Sequence, residues 1–219
     1  YTLLADHGIN TEFLQMVTAA ESCYLSCCLA PDVQETAQGL AMPQPDRVSL
    51  MSVYPHRSSL KILASFISLL TREGIRFSDI LTSGSMLTAV VDSNDQARIE
   101  TGFIPHVDLP DSHTPFSQQL SSDDKDLIRK NWPETSAAYE EAKIKTYGIM
   151  VRDGLTLFSL HIDSSMVEKR ASELAQAVSS SDTFSFSAAH TTLQGHLDWS
   201  FLCADPDGKI RTFLSDGLP

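Results

Sequence analysis

The chain has 219 residues, with 16 Lys and Arg against 28 Asp and Glu, a formal net charge of −12. A hydrophobic share of 42% supports packed cores and excludes wholesale disorder. The acidic balance argues against nucleic acid or an anionic membrane face as main partner, and no apolar run is long enough to span a bilayer.

Tyr1 to His7 reads as the end of a helix, with Gly8 at its left-handed stop. The chain is therefore expected to open inside a repeat whose first strand lies before Tyr1. Thr11 to Val17 and Glu21 to Ala30 read as an antiparallel pair of strands joined by a short link. Cys23, Cys27, Cys28 and Cys203 are too sparse for a disulfide scaffold and contain no CxxC. Buried, reduced thiols and a cytoplasmic protein are expected. Pro31-Asp32 starts a helix reaching about Leu40, and Pro43 and Pro45 stiffen the connector that follows.

Arg47 to Tyr54 is the clearest strand. Pro55-His56-Arg57-Ser58 turns into a helix carrying Leu60, Leu63, Ile67 and Leu70 at helical spacing, ended by Gly74. Ile75 to Leu81 and Ser85 to Val91 are strands, Asp92 caps a short helix, and Gly102 to His106 is expected as an edge strand. The order is β-α-β-β-α-β. His7-Gly8-Ile9-Asn10 matches Glu73-Gly74-Ile75-Arg76, so the unit reads as duplicated.

Residues 107–142 break the pattern and carry a net charge of −5, from eight acids against Lys125, Arg129 and Lys130. An acidic linker with short helices is expected. Lys143 to Pro219 forms a third unit. Lys145 to Val151 and Leu155 to Ile162 read as strands around Asp153-Gly154. A helix with the stripe Val167, Ala171, Leu174 and Val178 follows. Thr183 to Ala189, His196 to Cys203 and Ile210 to Leu214 read as strands.

No phosphate cradle, HExxH or GxSxG is present. His190 and His196 lack a third and fourth ligand at zinc spacing. No metal, cofactor or catalytic group is expected. An enzyme built on the C-terminal unit would need a polar pocket around His161, His190 or His196.

Residues 46–106 resemble an ACT domain, in particular the C-terminal regulatory region of aspartate kinases. The residues that carry the likeness are Val48-Ser49-Leu50-Met51, Pro55 to Leu60, Glu73-Gly74-Ile75, Ile80-Leu81-Thr82-Ser83 and Leu87 to Asp92. Residues 1–42 resemble the preceding repeat through Ala5 to Asn10 and Tyr24 to Leu29. The chain has Ser58-Ser59 where that family commonly has Pro-Gly, and Met16-Val17 where it has Gln-Asn. The kinase's Lys-Phe-Gly-Gly signature is absent.

The resemblance implies an α+β fold of ferredoxin-like repeats with antiparallel sheets. Repeats 1–42 and 46–106 would pair side by side, followed by the linker 107–142 and an α+β unit at 143–219. It implies a non-catalytic regulatory module that binds an amino acid or similar small carboxylate between paired repeats. Ile9, Asn10, Pro55, His56, Arg57, Ser58, Ser59 and Leu60 would line that site, where a helix start and an arginine suit a carboxylate. The partners implied are an amino-acid effector and a second copy of the chain. The alternative is an ACT-based dimerisation module with no ligand.

Overall fold

The computed structural model describes residues 11–19, 22–29, 47–106, 151–179, 181–205 and 207–216. The helices expected at 1–7 and 31–40, the linker 107–142 and the strand residues 145–150 lie outside these.

The first described element is an antiparallel hairpin, β1 (Thr11–Ala19) with β2 (Ser22–Leu29). It forms a two-stranded sheet of its own. Residues 47–106 then give β3 (Val48–Val53), α1 (Leu60–Arg72), β4 (Phe77–Thr82) and β5 (Leu87–Asp92), closed by short helical turns at 93–106. Residues 151–216 repeat that order: β6 (Thr156–Asp163), α2 (Val167–Ala177), β7 (Phe184–Thr191), β8 (His196–Cys203) and α3 (Lys209–Asp216).

The two halves share one six-stranded antiparallel sheet, ordered β3–β5–β4–β7–β8–β6. The order is palindromic. Each half runs first, third, second strand from its edge inward, and the second strands meet in the middle. This is an α+β arrangement compatible with a ferredoxin-like fold. The resemblance had implied that 46–106 pairs with 1–42. In the sheet, its partner is the C-terminal half instead, while β1 and β2 stand apart.

The core explains the helices. Leu60, Leu63, Ile67 and Leu70 of α1 are fully buried, as their spacing predicts. Ser59 caps α1 by accepting from the Ile62 N–H at 3.4 Å, and Gly74 at φ +65° ends the turn that follows. In α2 the predicted stripe Val167, Ala171, Leu174 and Val178 is also buried. Both helices pack with Ile80, Ala89, Val91, Ala189, Leu197, Trp199 and Phe201, which alternate along the central strands. The helices therefore share one face of the sheet.

Two expected strands are helical. Gly102 to His106 belongs to the turns at 93–106, not to an edge strand. Ile99 and Phe103, four residues apart, are buried together, and Phe103 meets Phe66 of α1 edge-on at 5.5 Å. Asp92 caps these turns as expected, accepting from the Asn94 N–H at 2.8 Å. Ile210 to Leu214 is part of α3. Both Asp205 carboxylate oxygens take N–H groups of its first turn, from Ile210 and Arg211, each at 3.0 Å. Ile210, Phe213 and Leu214 supply the apolar side. Among its described residues the C-terminal half therefore has two helices where one was expected. Val151 lies outside any strand.

Candidate functional site

Two places on this scaffold carry unusual chemistry. The first is the loop from β3 to α1, where the resemblance places the ligand. Arg57 and Ser58 both adopt left-handed backbone conformations, φ 51° and 53°. The loop is wound around His56, which is 1% exposed. Its Nδ1 accepts from the Ser58 N–H at 2.8 Å, and its Nε2 donates to the Ser83 carbonyl at 3.0 Å. That pattern belongs to one neutral tautomer, so His56 is a buried brace.

The loop also reaches the other half. Leu60 N–H donates to Asp182 O at 3.0 Å, Phe184 N–H donates to Ser58 O at 2.8 Å, and Ser59 bridges Thr183. The His56 and Phe184 rings lie 5.0 Å apart. Leu60 is in the core, and Arg57 is exposed. Most donors at this helix start are already engaged: Ser59 N–H with His56 O, Ile62 N–H with Ser59 Oγ, and Leu63 N–H with Ser59 O. Pro55 and Tyr54 lie at the start of this loop and are exposed. Ile9 and Asn10 lie outside the described residues.

The second place lies on the sheet face away from the helices. The register sets Asp79 of β4 opposite His190 of β7, His190 opposite Asp198 of β8, and Asp198 opposite His161 of β6. Acid and imidazole thus alternate across four neighbouring strands. Asp79 is 2% exposed, and its Oδ1 is 2.9 Å from His190 Nδ1. That bond, more than the opposing cost of burial, raises the His190 pKa above its ordinary value; the charges of Asp79 and Asp198 add to it. Asp198 Oδ1 is 2.6 Å from His161 Nδ1. The His161 ring stacks on His196 at 4.5 Å.

The hairpin covers the inner end of this row. Phe13 and Gln15 of β1 are buried, and Gln15 Nε2 donates to Ala189 O at 3.1 Å. Cys28 of β2 pairs with Phe13 in the register and lies near Asp79. Burial, with the Asp79 and Cys27 charges added, pushes its thiol up to about 11. Cys203 is also pushed up to about 11, by burial first and then by Asp205 and Asp182. Cys27, Cys28 and Cys203 are free thiols, Cys203 buried and the other two partly so. High thiol pKa values leave them poor nucleophiles at neutral pH.

His161 is 65% exposed, so it does not line an enclosed polar pocket of the kind an enzyme on this half would need. Among the described residues no group of three or more His, Cys, Asp or Glu could hold a metal ion. No helix among them is long and apolar enough to cross a membrane. Sequence reading noticed His161 and His190 separately but missed the row. Each member sits at an unremarkable polar position of its strand, and only the pairing of β4 with β7 aligns them. No family model, curated protein or solved structure matches the chain.

Proposed function

We propose that the chain is a non-catalytic regulatory module of ACT-like units that responds to an amino acid or similar small carboxylate. The reading is supported by one observation above all: the loop of the first half is hydrogen-bonded to residues 182–184 of the second. A carboxylate paired with exposed Arg57 would act on a loop that both halves hold. Ligand binding there would be coupled to the fit between halves, which is what a regulatory module requires. Titration calorimetry on the full chain, with each of the twenty amino acids, tests it. A saturable heat for at least one, lost in Arg57→Ala, is expected. No heat with any of them rejects the reading.

A second reading is favoured by the saturation of the same loop. With the Ser58, Ser59, Leu60, Ile62 and Leu63 N–H groups already bonded within the protein, the contact serves as a fastener between halves. The chain then acts as an assembly module without a ligand, and pairs with a second copy. Light scattering over a concentration series separates the two. A concentration-dependent dimer indifferent to all twenty amino acids supports this second reading, and a persistent monomer rejects it.

A further inference from the structure

We propose that the β1–β2 hairpin is a pH-gated cover, seated on the central strands while His190 is protonated and loosened once His190 is neutral. This goes beyond the ligand reading and does not depend on it.

A two-stranded sheet is marginal alone and needs a surface to rest on. The surface here is the inner end of the acid–imidazole row. Gln15 ties the hairpin to the Ala189 carbonyl, one residue from His190. Cys28 comes down beside Asp79, and Phe13 is buried next to it in the register. The hairpin therefore seals Asp79 from water.

A sealed carboxylate needs a compensating cation. His190 is the ion-pair partner that Asp79 has among the described residues. Among the described residues, the titratable groups facing His190 are Asp79 from β4 and Asp198 from β8; Cys28 from β2 faces Asp79. Both acids favour imidazolium, and the Cys28 thiol is neutral at physiological pH. His161 and His196 lie farther along the row, against Asp198 and Asp163.

The sign follows from linkage. The His190 pKa is raised in the folded state. For the hairpin the two states are seated and lifted, with β4, β7 and β8 intact in both. Sealing Asp79 from water strengthens its pull on His190. The contribution to seating is therefore complete below the lifted-state imidazole value and is lost as pH rises through the seated one. Above that point Asp79 is a buried charge opposite a neutral ring. Lifting the hairpin hydrates the carboxylate and breaks the Gln15–Ala189 bond, in a side chain whose Oε1 has no hydrogen-bond partner among the described residues even in the seated state.

Amide hydrogen exchange on the full chain tests this, between about pH 5.5 and about pH 8.5, with intrinsic rates divided out. Protection of β1 and β2 is expected to fall with rising pH while α1 keeps its own. The fall is about tenfold for each unit by which the His190 pKa is higher with the hairpin seated than with it lifted. Asp79→Asn removes the charge that must be compensated, and is expected to flatten the hairpin's pH profile. His190→Gln is expected to give a loosened hairpin at both ends of the range. A flat wild-type profile overturns the proposal. So does an equal loss of protection in α1, or a wild-type profile kept by both variants.

Discussion

Ser58 and Arg57 show where a single position resists the pattern it resembles. Both hold a left-handed backbone conformation, at φ 53° and 51°, which costs a non-glycine residue roughly 1–2 kcal/mol. The bonds that fix Ser58 to His56 and Phe184 use only its backbone. Ser58→Gly keeps them and relieves the strain. It is expected to raise stability by about 0.5–1 kcal/mol, net of the extra freedom glycine gains when unfolded. A shift of the urea midpoint to higher concentration checks it; a lower midpoint would show that the serine side chain is needed. The presence of Ser58-Ser59 was readable in the sequence. That the turn keeps its left-handed shape without a glycine was not, because the bonds that impose it come from the buried His56 ring and from Phe184, far along the chain.

Among the elements, α1 and α2 were legible because their apolar stripes run at a helical period for three turns or more. Residues 102–106 and 209–216 were not. Each has too few apolar residues to display a period, and Ile210 to Leu214 contains β-branched and aromatic residues that favour a strand in isolation. What makes 209–216 a helix is Asp205, which takes two N–H groups of its first turn. Asp205→Ala is expected to cost about 1 kcal/mol, as other helix-start acceptors do. The loss should appear first as faster amide exchange in 209–216, and unchanged exchange there would remove the capping role. The acid–imidazole row was likewise unreadable: strand alternation places each residue on a face, but says nothing of which strands are neighbours.

At the scale of the whole molecule, the halves are joined through the sheet and through α1 against α2. Damage to one should therefore be felt by both. Leu174 of α2 is 1% exposed within that common core. Leu174→Ala is expected to cost about 2–5 kcal/mol. Amide exchange should then quicken in 48–92 as well as in 156–203. If only the C-terminal strands respond, the halves are separate cooperative units. The α+β class and the order β-α-β-β-α could be read from 47–106 without the structure. The pairing of that half with 151–216 could not, because the β4–β7 contact has only three register pairs, and Asp79 and His190 among them carry no sign of each other in the sequence.

That central seam sets an order of events during folding. Asp79 and His190 are 111 positions apart in the chain, whereas β4 and β5, or β7 and β8, meet across short turns. Closing so long a loop is entropically costly, so the local hairpins form before the seam does. The seam's own clasp is Thr82, whose Oγ1 donates to Ser187 O at 3.1 Å and accepts from Ser187 N–H at 2.7 Å, both buried. Thr82→Val strands those two backbone groups. It is expected to speed unfolding about fivefold or more, for a loss of roughly 1–3 kcal/mol, while leaving the refolding rate nearly unchanged. A refolding rate slowed in proportion would place the seam in the nucleus. A late seam means that each newly made chain passes through a stage in which β4 and β7 are bare inner edges. At that stage another chain's edge is as good a partner as its own.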